Sequence, residues 1–102
     1  MSQVTKISRN NTKVARFAGR TVITLHDTDI VDVNSETITL NTGGWPTTTT
    51  RTRMTQASHE LGLGYGVSFA KGTCSVSFMG NVAEFNRTVT LNRLTGEIVS
   101  DK

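Results

Sequence analysis

Cysteine and proline are almost missing from this chain, at one residue each in 102. A lone cysteine excludes an intramolecular disulfide framework and a multi-cysteine zinc site, and it fits a reducing compartment. Aromatic residues are sparse at 6%, and apolar residues reach only 35%. That is below the usual share for a soluble domain, so the core is thin and each large side chain matters. No apolar run approaches the ~18 residues of a membrane-crossing helix, so no membrane role is expected. The opening MSQVTKISRNN has no apolar stretch behind its positive charges and does not read as a secretory signal. Neither a GxxxxGK[ST] phosphate loop nor a GxSxG nucleophile elbow occurs.

What the chain does have is threonine, valine and isoleucine, with nine glycines spaced as turns. Branched side chains suit a pleated sheet. Period-two alternation places Ile23 and Leu25 on one strand face, and it pairs Val31/Val33 with Ile38/Leu40 as a hairpin across Asn34-Ser35-Glu36. The period then changes. Met54, Ala57 and Leu61 fall at helical spacing, with Thr47 or Thr48 as N-cap and Gly62 and Gly64 as the stop. Short alternating runs resume over 65–69, 73–78, 82–85 and 87–92. Residues 1–11 are expected to be a flexible basic arm. Residues 12–102 are expected to form one α+β domain: a curled antiparallel sheet of five to seven strands, with one short helix at about 48–61 packed on it.

Charge is uneven. Residues 1–20 hold Lys6, Arg9, Lys13, Arg16 and Arg20 with no acid, a net +5; the rest carry six bases and eight acids, a net −2, which together give +3. A basic arm can meet an anionic partner, or it can lie on the chain's own Asp27, Asp29, Asp32 and Glu36.

The segment NTGGWPTTTTRTRMTQ, 41–56, stands out. Gly43 and Gly44 allow a tight bend close to a ligand. Trp45 offers a flat aromatic face, and Thr47, Thr49 and Thr50 place hydroxyls at a helix start whose free N–H groups attract anions. Arg51 and Arg53 add guanidinium forks suited to phosphate or carboxylate. A base stacked on Trp45 with its phosphate at the helix start would use all of these parts. The structural alternative is that the glycines shape a turn, Trp45 fills the core, the threonines cap the helix, and both arginines are solvated.

Other constellations are weaker. His26 with Asp27, Asp29 and Asp32 lacks further histidines and the spacing of a calcium loop. Cys74 alternates with Val76 and Phe78 and reads as a buried inert thiol. Gly62, Gly64 and Gly66 follow a helix and precede a strand, the reverse of a dinucleotide fingerprint. Phe69 and Phe78 read as core or, alternatively, as a base-stacking platform. No cofactor, no metal and no enzymatic activity are expected.

The runs LHDTDIV (25–31), ITLNTGGWPTTTTRTRMTQ (38–56) and LGLGYGVSF (61–69) resemble a group of small uncharacterised proteins encoded by tailed bacteriophages. The mark of that group is an LH-x-T-x-IV strand, then LN-x-GGW-x-T-x-TT-x-x-RMNQ, then GLG-x-x-V. Thr47, Thr49, Thr50, Arg53, Met54 and Gln56 match. Thr55 stands where the group usually has asparagine, and Pro46 where it often has a basic residue. The resemblance spans about 20–79. It implies a phage origin, a host-cytoplasm setting and no known catalytic activity. Two functions are expected from these readings. The first is a non-enzymatic accessory protein that binds an anionic ligand, a nucleotide or single-stranded nucleic acid, at Gly43, Gly44, Trp45, Thr47, Thr49, Thr50, Arg51 and Arg53. The second is a protein that modulates a host or phage protein as an inhibitor or assembly factor. A homo-oligomer is expected in either case.

Overall fold

The computed structural model describes residues 12–44 and 47–102. The expected arm at 1–11, with Lys6 and Arg9, lies outside the described residues, as do Trp45 and Pro46.

Four strands come first: β1 (Thr12–Phe17), β2 (Arg20–Leu25), β3 (Thr28–Asn34) and β4 (Thr37–Asn41). One helix follows, α1 (Thr48–Glu60), then β5 (Tyr65–Ala70), β6 (Thr73–Phe78), β7 (Asn81–Phe85), β8 (Thr88–Asn92) and β9 (Ile98–Ser100). The α+β class and the helix agree with the sequence reading. The strands, however, form two antiparallel sheets rather than one curled sheet. The larger runs β1-β2-β3-β4-β8-β9 and the smaller β5-β6-β7, and neither is strongly curled.

The division falls between β7 and β8. Residues Asn86 and Arg87 carry the chain from one sheet to the other, and the Asp101 carboxylate holds that passage. It accepts backbone N–H bonds from Asn86 (2.7 Å), Arg87 (2.7 Å) and Thr88 (3.0 Å). Burial alone would raise the carboxyl, but the bonds from Asn86, Thr88 and Arg87 win and hold Asp101 below the ordinary carboxylate range.

Alternation explains the core. In the β3–β4 hairpin Val31 faces Leu40 and Val33 faces Ile38, the pairing read from the sequence. Between β2 and β3 the register shifts at Ile23/Thr24. This bulge leaves Ile30 and Val31 consecutive in β3, and both are buried. In the smaller sheet, Cys74, Val76 and Phe78 of β6 and Phe85 of β7 point inward. Phe78 is therefore core. Phe69, half-buried, meets Phe85 edge-on at 6.5 Å between ring centres. Neither phenylalanine stands on the outer sheet face, where a stacking platform would need it. Cys74 is buried, and burial, then the nearby Asp101 charge, push its thiol up and away from reactivity.

Helix α1 sits against β2, β3 and β5. Thr50, Met54, Ala57 and Ser58 form its buried stripe. Its C-terminus closes tightly: Gly62 N–H bonds His59 O, and Leu63 N–H bonds Ser58 O at 2.9 Å. That paired pattern is a Schellman motif, with buried Leu63 as its apolar contact. Tyr65 then locks β5 to the helix through its hydroxyl, which donates to Met54 O, and through Ser58 Oγ. Burial pushes the Tyr65 phenol far up, so it stays protonated.

Candidate functional site

A cavity opens where the β2–β3 turn, the end of β4 and the start of α1 meet. Its volume is about 390 Å³, within the roughly 300–1,000 Å³ of small-molecule sites. Leu25 and Ile30 give it an apolar floor, and His26 and Thr28 one wall. Thr42, Thr47, Thr49 and Thr50 complete it from the side of the helix.

Local sequence builds each part. Thr47 is the N-cap in extended conformation, and its hydroxyl accepts from the Thr50 N–H at 3.2 Å. Thr47 and Thr50 hydroxyls also meet at 3.1 Å. No acidic side chain stands in the first turn, so the partial positive charge of the helix start is not neutralised there. Asn41 and Thr42 fold the preceding loop back on itself: Gly43 N–H bonds Asn41 Oδ1 at 2.8 Å, and Gly44 N–H bonds Thr42 Oγ1 at 3.2 Å. Gly43 has φ +70, and a Cβ there would stand 2.9 Å from Thr28 Oγ1. Only glycine lets this loop close against the β2–β3 turn.

The sequence reading placed eight residues in a site. Thr47, Thr49 and Thr50 do line the cavity. Gly43 and Gly44 shape its rim, with their N–H groups bonded within the loop. Arg51 is half-buried in the first helical turn and is not part of the lining. Arg53 turns elsewhere: its Nε donates to Thr12 Oγ1 at 3.1 Å and its Nη1 to Gln56 Oε1 at 3.4 Å. It ties the helix to the edge strand β1. Trp45 lies outside the described residues.

Four residues of the cavity carried no functional expectation, namely Leu25, Thr28, Ile30 and Thr42, and His26 was weighed as a metal ligand beside Asp27, Asp29 and Asp32. His26 occupies a turn with φ +55. A positive φ at a residue other than glycine is uncommon and marks a turn under constraint. No sequence signal distinguishes the floor residues from ordinary core.

The β2–β3 turn beside the cavity carries two acids, exposed Asp27 and Asp29. Asp29 accepts from Thr24 Oγ1 at 2.7 Å on the opposite face of the sheet from Leu25, so its charge is held away from the cavity. Part of the basic N-terminal stretch is also satisfied within the chain. Arg20 grips Asp32 through two bonds, at 2.9 and 2.6 Å, and lies 5.4 Å over the Phe17 ring. Arg16 meets Glu60 at 3.5 Å. No group of three or more His, Cys, Asp or Glu suited to a metal occurs among the described residues. No helix among them is long and apolar enough to cross a membrane.

One helix over two antiparallel sheets, with a threonine-lined cavity at the helix start, defines a small α+β domain among the described residues. The chain belongs to the Kyanoviridae Gp96 protein family, a cyanophage family whose model matches residues 1–95. No curated protein and no solved structure matches it.

Proposed function

We propose that this phage protein is a non-enzymatic accessory factor that binds an anionic ligand, a nucleotide or single-stranded nucleic acid, in the host cytoplasm. The observation that carries the reading is the cavity at the start of α1. Threonine hydroxyls at positions 47 and 49 and an unneutralised helix start face an open, partly apolar space. The apolar floor of Leu25 and Ile30 suits a base or sugar, and the helix start suits its phosphate. Arg51, in the first helical turn though outside the lining, adds positive charge to this end of the helix. Arg53 has no part in this version of the site, because it is bonded to Thr12 and Gln56.

The test is a titration of a labelled oligothymidylate and of a labelled nucleoside triphosphate at low and high salt. Affinity is expected to fall steeply with salt, with a log–log slope of about −0.7 for each phosphate neutralised on a single strand. Thr49→Val and Arg51→Ala are expected to weaken binding without changing the thermal midpoint. Absence of binding at low salt, or binding indifferent to both substitutions, defeats the reading.

A further inference from the structure

A sheet edge exposes unpaired N–H and C=O groups, and folded chains guard it with charge, shortness or cover. Among the described residues, four strands stand at sheet edges. Edge strand β1 carries Lys13 and Arg16, β9 is three residues long, and β7 carries Glu84 and lies against β9. Edge strand β5, YGVSFA, has six residues, no charge and no proline.

Hydrogen-bond parity shows which groups β5 leaves open. Lys71 and Gly72, at φ 53 and 77, form a two-residue turn, so Ala70 and Thr73 are a hydrogen-bonded pair. Alternation then bonds Ser68 with Ser75 and Gly66 with Ser77, and turns the backbone groups of Tyr65, Val67 and Phe69 away from β6. Tyr65 confirms the parity independently. Its N–H donates to Ser58 Oγ at 3.1 Å, and its carbonyl accepts from the same hydroxyl at 2.7 Å. The serine of the helix stands where a neighbouring strand would be. Beyond it, Val67 and Phe69 offer two N–H and two C=O groups with no partner among the described residues. Their side chains point to the core side yet remain half-buried, while the facing Val76 and Cys74 are 1% and 3% exposed. The core is open along this edge.

We propose that β5 is a homodimerisation edge, pairing antiparallel with β5 of a second copy about a twofold axis at Ser68. In that register Val67 of each copy faces Phe69 of the other, and every open group on both strands is used. Tyr65 keeps its serine. A register centred on Val67 would set Phe69 against Tyr65, whose groups Ser58 already occupies. Across the axis Ser68 meets its copy and Gly66 meets Ala70, so no large or charged side chain obstructs the approach. The remaining exposed surface of Val67 and Phe69 is covered, and the two small sheets become one continuous sheet of six strands. The contact is self-complementary and closed, as a twofold requires.

Sedimentation equilibrium of the full chain tests this. A dimer is expected at high micromolar concentration. Ser68 is exposed on the outer face, so Ser68→Lys brings two ammonium groups together only in the dimer. Dimerisation is expected to weaken at least ~10-fold, with thermal unfolding of the dilute monomer unchanged. Facing Ser68 residues are a non-hydrogen-bonded pair with Cα atoms about 4.5 Å apart, a separation that accepts a disulfide. Ser68→Cys is therefore expected to crosslink under mild oxidation, and Ser75→Cys on the neighbouring strand is not; the native Cys74 is buried. A chain that stays monomeric at every concentration, a dimer that survives Ser68→Lys, or crosslinking as fast at position 75 as at 68 overturns the proposal.

Discussion

The passage from β7 to β8 and the first turn of α1 both gather backbone N–H groups, and the chain treats them in opposite ways. At the passage, the carboxylate of Asp101 receives three of them, from Asn86, Arg87 and Thr88. At the helix start, a neutral hydroxyl, that of Thr47, accepts one, and the first turn holds no acid. The first arrangement is internally complete and serves the fold, because it fixes where one sheet ends and the other begins. The second leaves its positive end facing a cavity. The same physical chemistry, donors clustered around a point of partial positive charge, is closed by an anion of the chain's own in one place and kept available in the other.

Three changes break or sharpen this contrast. The largest effect is expected at the closed end of the helix, which shows what full satisfaction contributes. Ser58→Ala removes the hydroxyl that serves both the N–H and the carbonyl of Tyr65. Both groups belong to a buried residue, so the loss is expected to cost about 1–3 kcal/mol in urea unfolding. A loss below a few tenths of that figure would mean that water replaces the serine. Thr47→Asp comes next, because it gives the helix start what Asp101 gives the passage. Stability is expected to rise by about 0.3–1 kcal/mol at low salt, while binding of an anionic ligand is lost. A variant that is both more stable and still binds would separate the helix start from the site.

The smallest effect is expected at Asp101. Its carboxyl is held below the ordinary range in the folded state, so its contribution is present above the unfolded value of about 3.9 and is lost as pH falls through the folded value. The thermal midpoint of the native chain is expected to drop on acidification in that window. Asp101→Asn is expected to have a lower midpoint at neutral pH and a weaker acid dependence, measured by scanning calorimetry at stepped pH. An identical acid profile in both proteins would show that other carboxyls control it.

Much of the local structure was legible in the sequence because it depends on neighbours in the chain. The helix announced itself through Met54, Ala57 and Leu61, and the β3–β4 pairing through the alternation of Val31, Val33, Ile38 and Leu40. Cys74 was correctly placed in the core by the same period. The turn between the runs 73–78 and 82–85 is made by Met79 and Gly80, which carry the positive φ values. What could not be read depends on distant partners. Strands 81–85 and 88–92 look like one continuing meander until Asp101, 13 to 15 residues away, fixes the passage between sheets. Arg53 looked like a ligand group because nothing nearby in sequence marks Thr12, 41 residues earlier, as its acceptor. Leu25 and Ile30 look like any core residues, and only the gap above them makes them a floor. His26 directly follows the alternating run that ends at Leu25, and a period-two pattern does not reveal that the chain turns there with φ +55.

The order of strands in the larger sheet has a consequence for how the protein is made. Strand β8 pairs with β4, yet the whole of β5-β6-β7 lies between them in the chain. On the ribosome, the smaller sheet emerges complete, from consecutive strands joined by tight turns, while the larger one still lacks its last two strands. The edge of β4 that will receive β8 must therefore wait unpaired through the synthesis of a sheet that does not need it, and the larger sheet is the last to be completed.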